Sequence, residues 1–159
     1  MITVAPFEAA LREFSGSPFV AVTSNGTTAI HAAYLALNLR AGDEIIVPAF
    51  GFMAAANVAL HMGAVPVFAD VDPQTWCVTA ATIEHRINGR TRGLVPVHTY
   101  GNVCDMEPIL DLAERHGLWV LEDAAEAFGS LYRGRQAGTV APIGTYSFHA
   151  TKTITTGEG

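Results

Sequence analysis

The sequence predicts an α/β fold of three layers, a mainly parallel sheet with helices on both faces. Two observations carry this expectation. Short apolar runs alternate with stretches of helical periodicity along nearly all 159 residues. Each apolar run is also close to uninterrupted, as it is in strands covered on both sides. A third observation sets the number of units. No repeat, low-complexity tract or linker composition divides the chain, so one architecture is expected throughout.

The elements follow in order. Phe7, Ala10, Leu11 and Phe14 recur at helical spacing, with Glu8, Arg12 and Glu13 on other faces, and predict an N-terminal helix. "PFVAVTS" (18–24) predicts a first strand and "GTTAIHAAYLALNL" a helix beginning just after Gly26. "DEIIVP" reads as a second strand, "FMAAANVALHM" as a helix and "AVPVFADV" as a third strand. A polar helix from Ala80 to Ile87 leads to a fourth strand in "RGLVPVHTYG". "DMEPILDLAERHG" is an amphipathic helix with a glycine stop, and "LWVLEDAAE" a fifth strand. "LYRGRQAG" suggests a glycine turn between short extended pieces, and "GTYSFHA" a last strand running toward Lys152.

Composition narrows the function classes. Half of the residues are hydrophobic and 15% are charged, which excludes a disordered chain. A formal net charge of −6 and a pI near 5.4 argue against nucleic acid as a partner. Cys77 and Cys104 have neither CxxC nor metal-ligand spacing, so reduced thiols of a cytoplasmic protein are expected and no metal site. No secretory leader pattern follows Met1. The uncharged stretch from Ile45 to Ala69 is broken by Pro48, Asn57, His61, Gly63 and Pro66 into pieces well short of the ~20 residues a membrane span needs. It reads as strand, helix and strand, all buried, in a soluble protein.

In parallel α/β sheets ligands bind outside the carboxyl ends of the strands, which directs attention to the residues just after each strand. In "TSNGTTAI", Ser24, Asn25, Gly26, Thr27 and Thr28 open a helix, where free N–H groups and the helix dipole suit a phosphate. An ordinary N-cap has the same letters. In "LEDAAEAFG", alternation puts Glu122 and Asp123 on opposite faces, and a buried acid there needs a partner. A protonated ring nitrogen is one such partner, and a helix cap or salt bridge another. Phe50 and Phe52 in "VPAFGFMAAAN" are placed either to stack on a flat cofactor or to fill the core. In "SFHATK", alternation sets Ser147 and His149 on one face and Phe148 on the other, and a turn returns Lys152, the chain's one lysine, to the strand edge. A lysine beside apolar strands can act as an amine nucleophile, while one in solvent does nothing. Together the four features are the parts of a pyridoxal phosphate site.

These stretches, in their order and spacing, resemble the DegT/DnrJ/EryC1/StrS aminotransferases. The resemblance runs through "TSNGTTAIHAAYLAL", "GDEIIVPAFGFMAAANVALHMGAVPVFADVDPQTW", "PVHTYGNVCDMEPILDLAERHGLWVLEDAAEAFGS" and "YRGRQAGTVAPIGTYSFHATKTITTGEG". It implies the large domain of the aspartate-aminotransferase-like fold type I and dependence on pyridoxal 5'-phosphate. By position, Lys152 would form the Schiff base and Asp123 would pair with the pyridine nitrogen. Phe52 would stack on the ring, Gly26, Thr27 and Ser147 would hold the phosphate, and Glu126 would sit beside the ring oxygen. His98 and Tyr100 match an "HxYG" stretch that serves either packing or catalysis.

The implied reaction moves an amino group, from glutamate, to a keto sugar carried on a nucleotide, in a cytoplasmic homodimer. Family dehydratases have histidine at the lysine position, so Lys152 favours transamination over dehydration. An amino-acid transaminase, a desulfurase, a non-catalytic cofactor-binding relative and a plain nucleotide-binding domain are the other readings. Gly51 departs from the family, where a larger residue is frequent. The resemblance also implies that residues 1–159 are part of the large domain, with an N-terminal segment and a C-terminal small domain absent and little turnover expected from this part alone.

Overall fold

The computed structural model describes residues 4–157. Five strands form a parallel sheet in the order β2-β1-β3-β4-β7. They are β1 (Glu44–Pro48), β2 (Val65–Ala69), β3 (Thr91–Leu94), β4 (Trp119–Asp123) and β7 (Ile143–Thr145). Helices α1 (Val4–Ser15), α2 (Gly26–Ala36), α3 (Ala54–His61), α4 (Ala80–Glu84) and α5 (Met106–His116) connect or flank them. A small antiparallel pair, β5 (Leu131–Tyr132) and β6 (Arg135–Gln136), forms the expected glycine-turn excursion before β7.

Strand alternation explains why the apolar runs are continuous. On one face, Ile45, Val47, Val95 and Leu121 pack beneath Ile30 and Tyr34 of α2 and Ala55 and Ala59 of α3. On the other, Ile46, Leu94 and Val120 meet Ile83 of α4 and Met106, Ile109 and Leu112 of α5. All five residues of β1 are buried, as a strand covered on both faces requires. The three-layer parallel arrangement is the one expected. α5 ends at Gly117, whose left-handed backbone (φ 65°) makes the glycine stop.

Three strand expectations need correction. Residues 18–24 run without joining any sheet. Their apolar pattern resembles a strand, but the Val22 N–H donates to the Glu8 carboxylate at 3.0 Å and Phe19 is 88% exposed. Apolar alternation cannot by itself supply a ladder partner. The strand β2 lies at a sheet edge and is half exposed, so the stretch from Ile45 to Ala69 is not buried throughout. The last strand stops at Thr145. Beyond it Ser147 and Phe148 are both buried and His149 is exposed, so strict alternation fails where the chain leaves the sheet.

Phe148 instead joins an aromatic cluster that docks α1. Its ring meets Phe7 at 5.2 Å and Phe128 at 5.3 Å, and Phe14 stacks on Phe128 at 4.5 Å. Cys77 and Cys104, without paired spacing in the sequence, are both buried free thiols, with Cys77 Sγ donating to the Asn102 carbonyl at 3.2 Å and Cys104 Sγ to the Val97 carbonyl at 3.3 Å. Among the described residues no helix is long and apolar enough to cross a membrane, and no cluster of three His, Cys, Asp or Glu side chains could hold a metal.

Candidate active site

The site grows from the carboxyl end of β4. Leu121 packs toward α2 and α3, whereas Val120 packs toward α5. The next two residues continue the alternation, so Asp123 faces the α2 side and Glu122 the α5 side.

Glu122 is completely buried and fully satisfied. Its Oε1 accepts from His98 Nε2 at 2.8 Å and from the Gly138 N–H at 2.5 Å. Its Oε2 accepts from the Val140 and Ala141 N–H groups, each at 2.8 Å. The Cys104 N–H donates to His98 Nδ1 at 3.2 Å, which leaves the ring proton on Nε2, aimed at Glu122. Burial would raise the Glu122 carboxyl, but the bonds from His98, Ala141 and Gly138 outweigh it and hold the group below the usual range. This carboxylate staples the 138–141 turn, and hence β7, to β3 and β4. Of the two acids it is the structural one. His98, which the sequence leaves open between packing and catalysis, is part of this staple.

Asp123 is 4% exposed, and the Ala125 N–H donates to its Oδ1 at 3.0 Å. Burial pushes its carboxyl above the usual range, against the pull of the Ala125 N–H, His98 and Lys152. A buried acid with so little support suits a cationic partner delivered from outside.

Lys152 reaches the same place by a tight turn, with its N–H bonded to the His149 carbonyl at 2.9 Å. Its side chain is 15% exposed, and Nζ lies 3.1 Å from Glu126 Oε1. Glu126 Oε2 accepts from the Tyr100 N–H at 2.9 Å. Burial raises the Glu126 carboxyl, but the Tyr100 N–H and Lys152 prevail and lower it. The Lys152 ammonium also lies 5.6 Å from the centre of the Phe52 ring, a cation–π distance. Phe52 is exposed on the site side. Phe50 joins Trp76 and Tyr100 in an exposed cluster of rings.

The N-terminus of α2 completes the group. Asn25 and Thr28 form a reciprocal capping box, so the ordinary N-cap is present. It satisfies the Thr28 N–H, while the N–H groups of Gly26 and Thr27 have no acceptor among the described residues. Gly26 packs against Ser147 so closely that a Cβ there would fall 2.9 Å from Ser147 Cβ. Glycine is therefore required at 26, and the Ser147 hydroxyl is held beside the helix start. Two open N–H groups and a hydroxyl are the kind of donors that suit an anion such as a phosphate. Together with the under-supported Asp123, the residues present fit a phosphorylated pyridine cofactor.

The sequence reading, through the family resemblance, named Gly26, Thr27, Phe52, Asp123, Glu126, Ser147 and Lys152; in the fold Lys152 meets Glu126 and Phe52 and acts on Asp123, and Gly26, at the start of α2 beside Thr27, meets Ser147. It missed the Glu122 staple, whose donors lie far away in sequence and are mostly backbone amides. It also missed Thr99 and Thr145, whose hydroxyls are buried without a partner. A threonine carries no outward sign of such a state.

Comparison with known proteins identifies the family. GDP-perosamine synthase of Caulobacter vibrioides is 46% identical over 156 residues, covering 98% of this chain and 42% of the relative. L-glutamine:2-deoxy-scyllo-inosose aminotransferase of Streptomyces fradiae is 42% identical, covering 96% and 36%. The chain thus spans less than half the length of these relatives. Among solved structures, NtdA of Bacillus subtilis with the bound cofactor PMP superposes with a TM-score of 0.89 at 39% identity, covering 96% of this chain and 34% of that one. Pyridoxal-phosphate and PMP forms both occur among the structural neighbours. With a match across residues 2–159, this chain belongs to the DegT/DnrJ/EryC1/StrS aminotransferase family.

Proposed function

We propose that this chain is the cofactor-binding part of a pyridoxal-phosphate-dependent enzyme that transfers an amino group to a keto sugar of a nucleotide-sugar. The observation that carries the reading is the position of the chain's one lysine. Lys152 is largely buried beside Glu126, Phe52 and Asp123 at the strand ends, where a solvated charge has no reason to be. The similarity to a GDP-sugar enzyme supports a nucleotide-linked substrate.

Pyridoxal phosphate, when bound, supplies an aldehyde that takes up the amine and a ring that withdraws electrons from the adjacent carbon. The rest is done by the protein. The open N–H groups of Gly26 and Thr27, with the Ser147 hydroxyl, hold the phosphate. Phe52 would cover one face of the ring, and Asp123 would keep the ring nitrogen protonated. Glu126 holds the Lys152 ammonium in place, and Lys152 would be the group that anchors the cofactor. With the cofactor bound, the Lys152 amine would take and return the proton at the reacting carbon. Loss of Lys152 removes both anchor and base, and the base alone accounts for about 10²–10⁴-fold in rate.

Glutamate is proposed as amino donor, with glutamine the alternative suggested by the inosose relative. The active protein is proposed to be a cytoplasmic homodimer whose remaining length supplies the sugar-binding groups. Adding pyridoxal phosphate to the purified chain should give a visible absorbance band, and Lys152→Ala should abolish it. A colourless parent, or a band indifferent to the substitution, would sink the assignment. Assay of the intact enzyme with nucleotide keto sugars, offering each donor in turn, identifies the substrates.

A further inference from the structure

Among the described residues, three buried side-chain polar atoms have no hydrogen-bond partner: Thr99 Oγ1, Gln136 Oε1 and Thr145 Oγ1. A buried hydroxyl without a partner is uncommon and calls for an explanation. Two of the three bracket Asp123. Thr145 is its register partner in the neighbouring parallel strand β7. Thr99 lies two residues beyond Val97, which bridges to Asp123 from the opposite side.

Thr145 is the closer case. Ile143 packs on the same core face as Leu121, its own register partner, so alternation carries Thr145 and Asp123 to that face together. Neighbouring strands are about 4.8 Å apart, so a rotamer of Thr145 brings its hydroxyl within reach of the carboxylate. Asp123 Oδ1 already accepts from the Ala125 N–H, and no donor is recorded for Oδ2. An orphaned donor and an under-supported acceptor thus lie side by side on one buried surface.

We propose that Thr145 is a positioning residue for Asp123, its hydroxyl donating to the carboxylate so that the acid stays ionised and aimed into the site. The inference rests on the reading of Asp123 as partner of the ring nitrogen. The interaction needs a turn of the Thr145 side chain from its unpartnered position, involves only the protein's own residues and requires no cofactor. Its benefit is greatest while the site is empty, when burial favours the neutral acid and no ring nitrogen opposes it. The other groups acting on Asp123 are the His98 ring, the Lys152 ammonium, the Glu126 carboxylate and the Tyr34 hydroxyl of α2. None of them is altered by a change at 145.

The test follows the Asp123 side-chain carboxyl carbon by NMR as a function of pH in the cofactor-free chain, with Asp123→Asn for assignment. Thr145→Val removes the hydroxyl and keeps the shape, and should raise the Asp123 midpoint by about one pH unit. Thr145→Ser keeps the donor and should restore the parent value. In the unsubstituted chain, the Thr145 hydroxyl proton should exchange slowly above the Asp123 midpoint and quickly below it. That last measurement decides the matter even if the valine variant fails to fold. Coincident midpoints in parent and Val variant, a Ser variant that behaves like Val, or a hydroxyl proton indifferent to Asp123 would each overturn the proposal. Failure of the chain to take up pyridoxal phosphate would instead count against the cofactor reading and leave this result intact.

Discussion

Replacing Glu122 with Gln changes one oxygen to an NH₂ group and little else in shape. The carboxylate accepts four hydrogen bonds, two at each oxygen, and every donor comes from a different residue. An amide keeps one accepting oxygen. Its NH₂ must then face either His98 and Gly138 or Val140 and Ala141, all of them donors. His98 cannot relieve this by changing tautomer, because the Cys104 N–H already occupies Nδ1. Two buried N–H groups therefore lose their acceptor, at about 1–3 kcal/mol each.

A loss of about 4 kcal/mol is the central expectation, a large part of the 5–15 kcal/mol by which domains are typically stable. Urea unfolding at neutral pH should show it as a midpoint lower by about 2 M. The pH dependence gives a second handle. The Glu122 carboxyl is held below the usual range in the folded chain, so its contribution is complete above the ordinary glutamate range. It fades as pH falls through the lowered folded value. The Gln variant has no such contribution to lose, so the gap between the two proteins should narrow in acid. A variant within 1 kcal/mol of the parent, or a gap constant from neutral to acid pH, would refute the staple.

Two further expectations follow from close contacts. A Cβ at Gly144 would lie 2.0 Å from the Gly138 carbonyl oxygen, so Gly144→Ala should destabilise by about 3 kcal/mol in urea unfolding. Gly89→Ala, where nothing lies within 4 Å, is the control and should stay close to the parent. For the two buried thiols, the influence of Cys104 draws the Cys77 thiol down to about 7, while the influence of Cys77 and burial hold Cys104 well above its usual range. Peptide mapping after brief alkylation of the folded protein near pH 8 should find label on Cys77 first. Equal labelling, or label on Cys104 first, would contradict this arrangement.

The parts of the fold that could be read in advance were those specified by neighbouring residues. The alternation of β1, the glycine stop after α5 and the asparagine start of α2 each depend on a few adjacent side chains. The same holds for the opposite facing of Glu122 and Asp123. Residues 18–24 misled because apolar spacing reports what a segment would bury and is silent about what it pairs with. At the site, the seven residues sit on turns at strand ends, where local patterns and family resemblance both speak. The Glu122 staple and the orphaned hydroxyl of Thr145 depend on backbone groups and strand neighbours far away in sequence. No residue type announces them.

The Glu122–Asp123 pair has a consequence for how β4 finds its place. A slip of one residue against β3 and β7 would exchange the two side chains between faces. Asp123, one methylene shorter, would then have to span the gap to the 138–141 amides and the His98 ring. Glu122 would be thrust under α2 with no ring of amides to receive it. Hydrophobic neighbours alone would barely notice such an error, since β4 carries apolar residues on both faces. The two acids notice it at once, from opposite sides of the sheet, and act as a proofreading mark in the strand that aligns the chemistry above it.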